Sequence, residues 1–170
     1  MQFNHYGGEA ALLAADLVNL PPSSVAHDVA AVLTTHGVVD PKPTSDQARQ
    51  LLGWAARLAP CFGTQHSHEQ CRLVNELLAT AASKPYISVH DGHRPHLHYR
   101  SPDDDLVSRV HAVTTAGLAY MICFAGGTRL GRCARTGCNT VFVDISRNGR
   151  RRHCTVRCAN TAAVQRHRTR

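Results

Sequence analysis

Four cysteines near the C-terminus, Cys133, Cys138, Cys154 and Cys158, form two close pairs in the pattern C-x4-C-x15-C-x3-C. Thiolates are soft donors, and two such pairs carried on two tight turns can close a tetrahedron around one Zn(II) ion. Paired spacing matters because consecutive residues on one helix face cannot surround an ion. His153 adjoins Cys154, but four sulfurs already complete the set, so the imidazole is expected to point away. The cofactor expected is one Zn(2+) per chain.

The same stretch carries a second chemistry. Residues 129–170 hold 11 Arg, no Lys and one acid, Asp144, a balance of +10. Residues 1–128 hold 8 Lys+Arg against 11 Asp+Glu, a balance of −3, so the net +7 is local to the tail. A guanidinium fork stays charged and meets phosphate through two parallel hydrogen bonds, which makes a polyanion the natural partner. Arg147, Arg150, Arg151 and Arg152 lie on the loop before the second cysteine pair. Arg157, Asn160, Thr161, Gln165, Arg166, Arg168 and Arg170 lie on or just beyond a helix expected over 155–168. The expected partner is duplex DNA, with the arginines holding phosphates and Asn160 or Gln165 reaching base edges in a major groove. RNA meets the same electrostatic requirement, as does an acidic protein docked by an adaptor.

A competing site is the imidazole cluster of His90, His93, His96 and His98. It could chelate a second metal or line a ligand pocket. Joined to Asp91 or to Asp103, Asp104 and Asp105, it would make a hydrolytic metal centre. No nucleophile elbow, phosphate loop or HExxH helix accompanies it, so an enzyme is not expected.

The elements that position these groups follow from periodicity. Residues 9–20 and 24–36 are apolar at helical spacing, interrupted by Pro21 and Pro22, which reads as two short helices or as a helix with a strand-like start. Thr44 with Gln47 three residues on predicts a capping box opening a third helix, whose apolar positions are Ala48, Leu51, Leu52, Ala55 and Leu58. A fourth is expected over 67–82 through Cys71, Val74, Leu77, Leu78 and Ala81. A β-hairpin is expected over 85–100 around Asp91-Gly92. A fifth helix, roughly 103–124, opens at Ser101 or Asp103 and ends at Gly126-Gly127. In the tail, Thr140–Val143 reads as a strand, Arg147-Asn148-Gly149 as a turn, and Val156, Ala159, Ala163, Val164 and His167 as the apolar stripe of the last helix. The fold class is therefore mainly α with a small β-hairpin (α+β): a helical N-terminal domain, 1–128, then a four-cysteine finger, 129–170, with a C-terminal helix. The front part is long enough to fold without a staple, whereas 42 residues usually need a metal. Trp54 is expected to pack in the core, and Cys61, Cys71 and Cys123 to be buried free thiols.

The run from Cys133 to Arg170, with CNTVFVDISRNGRRRHC followed by CANTAAVQRHRTR, resembles the CGNR zinc finger, found at the C-terminus of bacterial proteins described as stress-induced transcriptional regulators. Cys158-Ala159-Asn160-Thr161 stands where the family has Cys-Gly-Asn-Arg, so Cys and Asn are retained and Arg is not. Residues 1–128, with Asp16-Leu17-Val18-Asn19, resemble the ABATE domain that precedes this finger. The resemblance implies a sensor or ligand-binding domain, taking a small-molecule or metal effector, joined to a DNA-binding finger, with no catalysis. With no leader pattern and no apolar run near 18 residues free of polar interruption, a soluble cytoplasmic protein with no membrane partner is expected. Dimerisation through residues 1–128 would extend the few base pairs one finger contacts.

Overall fold

The computed structural model describes residues 5–64, 66–81, 86–88, 96–99 and 103–168. Helix α1 (His5–Asn19) is followed by α2 (Ala26–Thr35), α3 (Ser45–Leu58) and a single 3-10 turn at Ala59–Cys61. Then come α4 (Ser67–Ala81), the strands β1 (Tyr86–Ser88) and β2 (His96–His98), and α5 (Leu106–Ala125). The chain ends with β3 (Leu130–Arg132), β4 (Val141–Val143) and α6 (Val156–Arg168). Among the described residues it is mainly helical, with two antiparallel strand pairs, β1–β2 and β3–β4.

Local chemistry sets the helix ends. Thr44 Oγ1 accepts from Gln47 N while Gln47 Oε1 accepts from Thr44 N, the expected box. Helix α5 starts later than expected: Asp105, not Ser101 or Asp103, is the cap, its carboxylate accepting from Ser108 N at 2.8 Å. Gly126, at φ 74°, closes it.

The core forms around α1. Ala11 and Ala14 join Trp54, Leu58, Val74, Leu77, Leu118 and Met121. Leu13 and Leu17 join Val29, Leu33, Leu51, Val107 and Val110. Helices α1 and α5 approach closely because Gly117 lies at the crossing, where a Cβ would sit 2.5 Å from Ala11 N. Helix α5 is long and apolar enough to cross a membrane by length and composition. Its packing against α1, α3 and α4 accounts for that composition.

Trp54 is buried as expected, its indole donating to Thr114 Oγ1 at 3.0 Å. Cys61 is buried, and burial pushes its thiol up to about 11. Cys71 and Cys123 are exposed, against expectation. On α4 the inward stripe is Gln70, Val74 and Leu77, one position before Cys71. Gln70 is drawn inside because its amide donates to the carbonyls of Cys61 and Gly127, which end two other elements.

The charge boundary between 128 and 129 is not a boundary in packing. Leu130, Val141 and Val143 belong to the same core as Ala11, Trp54 and Met121. Asn19 Nδ2 donates to Val141 O at 3.0 Å, and Val141 N donates to Asn19 Oδ1 at 2.9 Å. On the other strand, Gly63 N donates to Leu130 O. One residue on each outer edge of the β3–β4 pair, Leu130 and Val141, is thus hydrogen-bonded to the helical part, which helps to close the edges of a short strand pair.

Candidate metal centre and basic face

Strand β3, which the sequence pattern did not disclose, leads directly into Cys133. A tight turn follows, in which Cys138 N donates to Arg135 O, and Cys133 N donates to Thr140 O as the chain enters β4. On the second side, Thr155 caps α6 by accepting from Cys158 N at 3.1 Å, placing Cys154 and Cys158 one turn apart. Ala134 N donates to Arg152 O and ties the two turns together.

This brings the four sulfurs within 4.8 Å of one another. The Cys154–Cys158, Cys138–Cys154 and Cys138–Cys158 separations are 3.5, 3.8 and 4.0 Å. Zn–S bonds of ~2.3 Å at a tetrahedral centre place sulfurs ~3.8 Å apart. A disulfide would require ~2.05 Å. The cluster therefore fits a single Zn(2+), and four protein ligands make it a closed structural site rather than an open catalytic one.

The surroundings favour thiolate unevenly. Thr140, whose hydroxyl lies 3.4 Å from Cys138 Sγ, holds that thiol down at about 6. Thr155, followed by Cys154 and Arg135, lowers Cys158. Burial, followed by the neighbouring sulfurs, pushes Cys154 up to about 12. Four negative sulfurs repel one another, and a divalent cation at their centre removes that conflict. Arg135 Nε donates to Cys158 Sγ at 3.2 Å, adding a positive charge beside the cluster.

Residues 129–170 match the CGNR zinc finger family. No curated protein matches the chain.

Around the zinc site, the arginines of the CGNR finger divide into two groups. Arg129 Nη1 donates to Asp144 O and Ser146 O. Arg132 reaches Asn139 O and Ala59 O. Arg151 donates to the carbonyls of His153 and Cys154 and lies 4.5 Å over the Phe142 ring. With Arg135, these build the finger. Phe142 in turn covers Gly131, its cross-strand partner, where any Cβ would meet the ring at 2.4 Å. By contrast, Arg147, Arg150, Arg152 and Arg157 are exposed, with no side-chain hydrogen bond or ion pair among the described residues.

Asp144, the tail's only acid, organises the loop that presents them. It is 1% exposed and accepts from Ser146 N at 2.9 Å and Arg151 N at 2.7 Å. Burial opposes its charge, but these hydrogen bonds outweigh it and hold the carboxyl below its ordinary range.

One expectation for α6 changes. Val156, Ala163, Val164 and His167 are exposed, while Ala162 is buried and Ala159 half-buried, so the apolar stripe is not the packed face. Asn160 and Gln165, the alternative base-reading residues, lie about 140° apart around the helix, five residues at ~100° each. Gln165 and Arg166 both have interactions of their own. Ala159 and Thr161 occupy the Gly and Arg positions of the family's run; Thr161 bonds back to Arg157 O, leaving exposed Arg157 as the cation on that side. The side chain of Arg168 and all of Arg170 lie outside the described residues. So do His90, His93 and the Asp91-Gly92 turn. His96 and His98 fall on β2, paired with Ser88 and Tyr86.

Proposed function

We propose that this protein is a zinc-containing transcriptional regulator whose CGNR finger binds duplex DNA, with the 147–152 loop and Arg157 on backbone phosphates. One observation carries the reading: Arg147, Arg150, Arg152 and Arg157 stand exposed with no side-chain partner among the described residues, whereas the guanidinium groups of Arg129, Arg132, Arg135 and Arg151 are hydrogen-bonded to protein groups. A merely solubilising surface would not need a loop folded around a buried carboxylate. Residues 1–128, read as an ABATE-like domain, supply a sensor for a small-molecule or metal effector or a dimer contact. The setting is the cytoplasm, where thiols stay reduced, and no catalytic residue is assigned.

Each phosphate neutralised steepens the dependence of log affinity on log salt by about 0.9. Arg150→Ala with Arg152→Ala should therefore weaken binding to every duplex and flatten the slope by about 2 units. Arg151→Ala should act differently, lowering the finger's stability because its guanidinium holds the carbonyls at Cys154. Fluorescence anisotropy across a salt series, with thermal melts of each variant, separates the two. Tight binding to RNA or an acidic protein, with no salt-dependent DNA binding at micromolar protein, would overturn the proposal.

A further inference from the structure

Helix α6 presents to solvent a face that its fold does not explain. The buried side is set by Ala162, flanked by half-buried Cys158, Ala159 and Thr161. At ~100° per residue, the opposite side centres on Asn160, with Val156, Ala163, Val164 and His167 around it, and all five are exposed. Val156 is 77% and Val164 51% exposed. Two β-branched aliphatics open to water around one amide, on a helix whose own core contacts are alanines, point to a face made for a partner.

The charge around that face selects the partner. The loop bearing Arg147, Arg150 and Arg152 runs straight into the N-terminus of α6, where Arg157 and the helix dipole add to the positive field. The tail's one carboxylate, Asp144, is buried and satisfied. An aliphatic face ringed by cations suits the major groove of DNA, where apolar groups meet the thymine C5-methyl and an amide pairs bidentately with adenine N6 and N7. Nothing on this face offers a carboxylate to accept from the cytosine amine. At ~100° per residue, Arg157 stands about 60° from Asn160 on the side of Val164, at the margin of the face.

Resting on the DNA-binding reading above, we propose that the exposed face of α6 recognises A·T base pairs in the major groove, Asn160 taking an adenine while Val156, Ala163 and Val164 pack on thymine methyls. From Val156 to Val164 the helix rises ~12 Å. At ~3.4 Å per base pair, that covers three to four pairs.

The test uses the full zinc-loaded chain and duplexes selected from a random library, read by competition anisotropy. Winning sequences should share a run of three to four A·T pairs. Replacing thymine by deoxyuridine in that run should weaken binding about 4-fold per buried methyl, and should have a smaller effect on a Val156→Ser, Val164→Ser variant, in which only Ala163 still meets a methyl. Asn160→Ala should cut preference for the selected site over random DNA roughly 5- to 100-fold, with the salt slope, random-DNA affinity and zinc content unchanged. G·C-rich winners, or no preference at all, with salt-dependent binding intact would overturn this inference and leave the DNA-binding reading standing. Loss of all salt-dependent DNA binding would remove that reading itself. If the serine variant converts a self-associated protein to monomer without altering base preference, the face is a contact between copies, and the proposal fails.

Discussion

A cluster of four thiols and one half-buried imidazole show how single residues tie this molecule to its conditions. In Cys138→Ser the tetrahedron loses a ligand from a site whose apparent zinc affinity in finger peptides is on the order of 10–16 kcal/mol. Elemental analysis should find the purified variant depleted of zinc, and full retention would remove Cys138 from the site. His111 stacks on Trp54, ring centres 4.0 Å apart, and its Nε2 is buried with no hydrogen-bond partner among the described residues. Burial, with Arg57 nearby and against the opposing pull of Asp105, holds it below its ordinary 6.5. The unfolded chain therefore takes up this proton first. Stability from the neutral ring is complete above about 6.5 and declines as pH falls through that value toward the lower folded one. His111→Phe keeps the stack and removes the proton, so urea unfolding between about pH 7 and pH 5 should lose part of its pH dependence. An unchanged profile would show that other groups govern the acid side.

Elements were legible where one local signal decides them and hidden where a distant partner does. Thr44 and Gln47 announce the start of α3 because their hydrogen bonds are made to each other. The cysteine spacing announces the metal site for the same reason. Strand β3 is three residues with glycine at its centre, and what makes it a strand is β4 and the helical core beneath. The packed face of α6 is hidden because alanines, not valines, fit against the finger, and that of α4 because the burial of Gln70, rather than Cys71, answers the carbonyls of Cys61 and Gly127 on other elements. Asp16-Leu17-Val18-Asn19 looked like one motif and divides by role: Asp16 accepts from His36 at 2.8 Å, Leu17 is buried, and Asn19 clasps β4. Asn19→Ala leaves a backbone N–H and C=O without partners at a half-buried edge, a loss of about 1–3 kcal/mol. At about 2–4 °C per kcal/mol for a chain of this size, the melting temperature should drop by several degrees, read by circular dichroism. No shift would mean that water serves the edge equally well.

For the whole molecule, the shared core revises what a separate front domain would do. Residues 1–128 expressed alone lack Leu130, Val141 and Val143, each a buried aliphatic worth about 1.5–3 kcal/mol. The fragment is expected to stay helical but to melt well below the zinc-loaded chain. Chelating zinc from the full chain should likewise lower the melting of helical signal, because the strand pair sealing the core is held by the turns that carry the cysteines. Equal melting temperatures for fragment and full chain would make the finger an appendage. The pairing of Asn19 with Val141 also sets a clock. These partners are separated by 122 positions, so on the ribosome, at about 5–20 residues per second, α1 waits roughly 6–24 s for its strand to be made. During that interval the nascent helices carry an open apolar seam, and metal can help to close it only once the second cysteine pair has been made.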